Sequence, residues 1–147
     1  MEPNKRKRTT LWIVLSIVFV GLVYGGVRWW MSSGRVEKML QEYATSLNIR
    51  CPRELDPGMT LKRVVVLSDR TLVYNVESEV LTREMVQDSI IDLSQFREKA
   101  RNNAIQAVQA DPSLPQIRRL GITFRYNYTY QDGTPLMDFT VAPEDYR

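Results

Sequence analysis

Histidine is absent from this 147-residue chain, and cysteine occurs once, at Cys51. The commonest general base at neutral pH and the commonest metal ligand are therefore missing. A lone thiol cannot close a disulfide within the chain, so a folded part must be held by its core. Cys51 reads first as a small buried apolar side chain, with a disulfide to another chain as the alternative. No alanine precedes Ala44, so no Ala-x-Ala cleavage site stands near the start. Repeats, low-complexity tracts and Pro/Gly-rich linkers are also lacking.

Charge of one sign is scarce wherever a folded domain would lie. The whole chain has 20 Lys and Arg against 17 Asp and Glu, a net of +3. Lys5, Arg6, Lys7, Arg8 and Arg28 face only Glu2 before residue 35, a local net of +4. Residues 35–147 hold 15 basic and 16 acidic side chains and are nearly neutral. Nucleic-acid binding calls for a clustered positive excess on the folded part, so no nucleic acid is expected as a partner.

One long apolar run is present. Residues 11–27 carry no charge; Arg28, Trp29, Trp30 and Met31 follow. At ~1.5 Å per residue, about 20 residues cross a hydrocarbon core of ~30 Å, which the 21 residues 11–31 supply if Arg28 extends its charge to the headgroups. Trp12, Arg28, Trp29 and Trp30 are the expected membrane-interface residues. The basic flank at 1–10 places the N-terminus in the cytoplasm and the C-terminal domain outside. A cleaved signal peptide also opens on a basic stretch. Its apolar core is typically ~7–15 residues, however, and the small-residue candidate Ser32-Ser33-Gly34 stands close behind two tryptophans. The expected organisation is a basic tail at 1–10, a transmembrane helix at 11–31, a short hinge at 32–34 and one extracytoplasmic domain at 35–147.

Val36, Met39, Leu40, Tyr43 and Leu47 have helical spacing, and Asn48 to Gly58, with two prolines, reads as a loop. Met59 to Glu77 reads as a hairpin turning at Ser68-Asp69-Arg70. Asp92-Leu93-Ser94-Gln95 has the form of a capping box and opens a helix running to Ala110, stopped by Asp111-Pro112. A short helical turn over residues 115–120 ends at Gly121. Ile122, Phe124, Tyr126, Tyr128 and Tyr130 alternate with polar residues, and Asp132-Gly133 suggests a two-residue type I′ turn. That turn would set Tyr128 opposite Met137, Tyr126 opposite Phe139 and Phe124 opposite Val141, all on one face. The expected fold class is α+β: the transmembrane helix, then an α-β-β-α-β-β domain with an antiparallel sheet and helices packed on one face.

No constellation points to chemistry. The pairs Glu77/Glu79, Asp88/Asp92 and Glu144/Asp145 read as solvated faces rather than carboxyls opposed across a cleft. No metal, catalytic or cofactor-binding residues are expected, and the chain is read as a non-enzyme. Arg118 and Arg119 complement a helix end or meet an anionic partner; Tyr130, beside the turn, is the tyrosine nearest solvent. These three are the tentative partner-contact residues.

Asn48-x-x-Cys51-Pro52, Leu72-Val73-Tyr74, the Gly121 to Gly133 hairpin and Ala142-Pro143-Glu144-Asp145-Tyr146 together resemble a loose group of small bacterial envelope proteins, anchored or lipidated. More remotely, the domain looks like pilotins, lipoproteins that help secretion pores assemble, although this chain lacks a lipidation cysteine. The resemblance implies a periplasmic binding accessory to an envelope or secretion assembly, held to the bilayer through residues 11–31 and contacting another envelope protein. The alternative is a small-ligand binding or sensing module; a hydrolase is a distant third.

Overall fold

A computed structural model describes the backbone of residues 4–147 and the side chains of 12–31 and 34–147. The side chains of Lys5 to Arg8 and of Ser32 and Ser33, on which the basic tail and the hinge were read, lie outside the described residues. The chain divides into two compact units, Met1–Val36 and Glu37–Arg147.

In the first unit the backbone is helical from Asn4, part of helix α1 (Asn4–Asn48). Its apolar side chains between Trp12 and Met31 stand exposed, with no core of their own to enter. The most apolar 18-residue window has a mean hydropathy of 1.7 and no buried share.

The second unit is an α+β domain built on five strands: β1 (Arg53–Asp56), β2 (Met59–Leu67), β3 (Thr71–Ser78), β4 (Thr123–Thr129) and β5 (Pro135–Val141). They form one open sheet in chain order. Helices α2 (Arg83–Gln87), α3 (Leu93–Ala110) and α4 (Pro115–Arg119) join β3 to β4, and α5 (Pro143–Tyr146) closes the domain. Strand alternation shows which face the helices cover. Phe124, Tyr126 and Tyr128 are buried beside Met137, Phe139 and Val141, whereas Arg125, Asp138 and Thr140 are exposed.

The sheet is mixed rather than wholly antiparallel as expected, because β3 pairs with β4 in parallel, Tyr74 beside Tyr126. The cause lies in the connection. Eight residues of β3 advance ~26 Å, and the 18 residues of α3 cover ~27 Å. Folded back over the sheet, α3 returns the chain to the start of β3, where the Thr123 N–H donates to the Arg70 carbonyl.

Two other expectations change. The stretch read as a loop before Gly58 contains the edge strand β1, exposed at every residue and paired through Arg53 with Leu61. The last hairpin keeps its expected register, Phe124 opposite Val141 through Tyr128 opposite Met137, but reaches it differently. The Tyr130 N–H donates to the Thr134 carbonyl and the Gly133 N–H to that of Tyr130, with Gly133 at φ +81°. That is a three-residue loop with a left-handed glycine. A shift at Leu136, where Thr129 faces Pro135 and Tyr128 faces Met137, restores the register.

Candidate functional site

A cleft of about 340 Å³ opens on the helix-covered face of the domain. Leu61, Tyr74, Tyr126 and Tyr128 form its floor; Tyr43 and Leu47 line one flank, and Ala100, Ala104 and Ala107 of α3 the other. Arg53, Asp56 and Asp111 stand among its lining residues, with Asn103. The floor is rigid because Tyr74, Tyr126 and Phe139, from three adjacent strands, stack at 4.9 and 5.0 Å between ring centroids.

The void follows from the sequence of α3. The helix begins where Asp92 accepts from the N–H groups of Ser94 and Gln95 and runs unbroken to Ala110. It buries Ala104 and Val108 toward the sheet. At 100, 104 and 107 it presents methyl groups to a tyrosine floor. A leucine is nearly as good a helix former, and fully burying its side chain contributes roughly 1.5–3 kcal/mol. Alanine there keeps the rim of the cleft open, while the floor residues Leu61, Tyr74, Tyr126 and Tyr128 are themselves buried.

The phenols of the cleft remain protonated at neutral pH. Burial raises all four above the ordinary value of 10.0, Tyr74 and Tyr126 most. After burial, the neighbouring Tyr43 and Tyr126 phenols further disfavour ionisation of Tyr74. Tyr128 is pushed up to about 12 by burial and then by the nearby Asp56 carboxylate. The three charges lining the cleft form no ion pair with one another or with other described residues. Asp111 uses Oδ1 to accept from the Ser113 amide at 2.8 Å and hydroxyl at 2.6 Å. The cleft therefore combines an apolar aromatic surface with neutral donors and a few exposed charges, a binding surface by chemistry.

Residues singled out in the sequence fall elsewhere. Arg118 donates through Nη1 to the carbonyls of Val108 and Gln109, at 2.6 and 2.5 Å, and so caps the C-terminus of α3. Arg119 is exposed beside it. Tyr130 lies under the Arg83 guanidinium, 5.6 Å from its ring centre, and Arg83 also reaches Asp132 and Thr134. Trp12, Trp29 and Trp30 are exposed on α1, as is Arg28. Cys51 is half-buried rather than enclosed, its thiol toward the Leu47 carbonyl at 3.4 Å. The paired acids also part company: Asp88 caps the end of α2 and Asp92 the start of α3. Asp92, Asp132 and Asp145 are held below the ordinary carboxylate value of 3.8, each chiefly by a hydrogen bond from its own turn or cap. A catalytic general acid requires the opposite shift. Among the described residues no group of three or more Cys, Asp or Glu side chains could hold a metal ion.

Sequence reasoning missed Tyr43, Arg53, Asp56, Tyr74 and Asp111 as neighbours. The legible signal was the pairing of an alanine side of α3 with an aromatic strand face.

The domain defines a class: an α+β unit whose open five-stranded sheet carries its helices on one face, with an aromatic cleft between them. No protein-family model and no curated protein sequence matches the chain. Solved structures do share its fold. A candidate secreted protein of Pseudomonas aeruginosa is 14% identical, with 78% of this chain and 96% of that one covered at a TM-score of 0.62. EpsS, the pilotin of the Vibrio vulnificus type 2 secretion system, is 12% identical over 78% and 94%, at 0.60. AspS, the type II secretion pilotin of Vibrio cholerae, is 16% identical over 77% and 94%, at 0.52. The domain is pilotin-like in fold; identities this low carry a likeness of fold and nothing finer.

Proposed function

We propose that this chain is a single-pass protein of a bacterial inner membrane whose periplasmic domain is a non-catalytic accessory to an envelope or secretion assembly. The fold shared with two type II secretion pilotins carries the accessory reading. The exposed apolar helix supports the anchor. Trp12 and Trp29 stand 17 residues apart, ~26 Å along a helix, close to the thickness of a hydrocarbon core. Where the pilotins resembled in the sequence are lipidated, a protein helix would here supply the tether. Confinement to the bilayer raises the domain's effective concentration near membrane-embedded partners. The cleft is the contact site for a polypeptide partner; Arg119 and Tyr130, beyond opposite ends of β4, are separate and weaker contacts. The small-ligand alternative draws on the same cleft, whose volume lies at the low end for such sites.

The unique, half-exposed Cys51 offers a direct test of topology. An impermeant maleimide added to spheroplasts should label Cys51 without permeabilisation, and the labelled protein should remain in the membrane fraction after a carbonate wash. Labelling only after lysis would reverse the orientation; release by carbonate would remove the anchor.

A further inference from the structure

Four arginines from three parts of the domain meet at the connection between α4 and β4. Arg70, in the turn between β2 and β3, reaches the Leu120 carbonyl with Nη1 at 3.5 Å. Arg118 and Arg119 end α4. Arg147, the residue after α5, lays its guanidinium against Gly121, where an added Cβ would stand 3.2 Å from Nη2. Arg118, Arg119 and Arg147, with Pro115 and Tyr146, line an open groove of about 460 Å³.

The fold uses only part of this charge. At the end of α4 the Ile117 and Arg118 carbonyls accept from the Leu120 and Gly121 N–H groups, so Arg119 is not needed as a cap. Arg118 is committed through Nη1 to the last carbonyls of α3. Arg119 and Arg147 are exposed, and neither has a hydrogen-bond or ion-pair partner among the described residues. Asp145, close to Arg147 in the chain, is taken by Arg101 and the Ala142 N–H. Like charges gathered without a partner cost a compact domain some self-repulsion, which a bound anion relieves. Each group is also a guanidinium, whose planar fork meets a carboxylate with two parallel hydrogen bonds.

We propose that this groove binds an acidic segment of a partner polypeptide, with Arg119 and Arg147 pairing its Asp or Glu carboxylates. Arg118 and Arg70, held by the fold, supply fixed positive charge behind them. Two exposed acids, Asp69 and Glu144, lie at the same end of the sheet. A continuous anionic bilayer would press against both, whereas discrete carboxylates of a polypeptide meet the arginines alone. The assignment rests on the partner-binding reading above and gives the Arg119 contact its chemistry.

The test uses the full chain in phosphatidylcholine nanodiscs and three fluorescein-labelled pools of ten-residue peptides, each mixing Ala and Ser with Glu, Gln or Lys. Fluorescence anisotropy should show the Glu pool binding about tenfold more tightly than the Lys pool, a difference of ~1.4 kcal/mol. The Arg119→Gln, Arg147→Gln double variant should bring the pools together with its melting temperature unchanged, because neither side chain bonds within the domain. Arg119→Lys, Arg147→Lys keeps the charge without the fork, and should bind the Glu pool more weakly than the unaltered protein but still prefer it. Equal binding of the three pools, or no binding of the Glu pool, overturns the proposal; so does a Glu preference that the Gln variant retains. A melting temperature that rises in phosphatidylglycerol discs, with the rise lost in the Gln variant, assigns the cluster to lipid headgroups and overturns the polypeptide. Cys51 labelling reads the anchor and orientation separately, so the arginine groove and the topology fail independently.

Discussion

At the end of α1, Asn48 reaches Val64 with both halves of its amide. Oδ1 accepts from the Val64 N–H at 2.7 Å, and Nδ2 donates to its carbonyl at 2.8 Å. β1 pairs with β2 only as far as Leu61, so the outward backbone groups of Val64 have no strand to meet. The side chain supplies that partner and ties helix to sheet. Asn48→Ala should therefore cost about 1–3 kcal/mol, the penalty for stranding donor and acceptor, seen as a lower urea midpoint for the full chain in detergent. Gly58 is equally constrained. It lies at φ +75°, and an added Cβ would sit 1.7 Å from Val80 Cγ2 and 3.2 Å from Val80 Cβ. Gly58→Ala is expected to destabilise by at least 1 kcal/mol. Adding Val80→Ala should recover only the steric part, because the left-handed backbone still disfavours a side chain. Full recovery in thermal melts would show that φ is not the constraint.

Among the elements, α3 is secured at both ends by side chains, Asp92 at the start and Arg118 at the close. Arg118→Met keeps much of the aliphatic stem and removes the bonds to two carbonyls. The expected loss is about 1.5–3 kcal/mol in chemical denaturation, with faster amide exchange concentrated in the last turn of α3. The final hairpin shows how an element can be legible for an incomplete reason. Alternation alone determines that Phe124, Tyr126 and Tyr128 share a face. The loop length then had two solutions that both satisfy the alternation, and Gly133 with the shift at Leu136 chose the longer. At the chain's other landmark, α5 docks because the Tyr146 hydroxyl donates to the Ile122 carbonyl at 2.5 Å and its ring meets Phe124 edge-on. Asp145 accepts from the Ala142 N–H and pairs with Arg101 at 2.8 Å.

For the whole domain, these groups set the pH range of stability. The Ala142 N–H first, and then Arg101, hold Asp145 below 3.8. A lowered folded value means that its contribution is present above 3.8 and is lost as pH falls through the folded value. Asp145→Asn should flatten the dependence of melting temperature on pH below about 4. At the alkaline end the sign reverses. Tyr74, Tyr126 and Tyr128 have raised folded values, so their contribution is complete below 10.0 and fades as pH climbs toward about 12 for Tyr128. Tyrosinate absorbance of the buried phenols should thus rise together with unfolding. A separate, earlier rise of all phenols with the fold intact would contradict the packing of the cleft floor.

Local patterns in the chain determined the apolar run of 11–27, the near-neutral domain, the hairpin of β2 and β3, both ends of α3 and the inward face of β4, because each depends on neighbours within a few positions. Tertiary structure alone decided that β3 and β4 run parallel, that β1 forms an edge, and that Arg118 belongs to α3. It also brought together Tyr43, Arg53, Asp56, Tyr74 and Asp111 from four separate elements or their caps around one opening. Such meetings depend on the path of a 44-residue connection between β3 and β4. Side-chain pattern encodes which face is buried; how far a helix carries the chain back, and what it then lies beside, is a matter of lengths and packing in three dimensions.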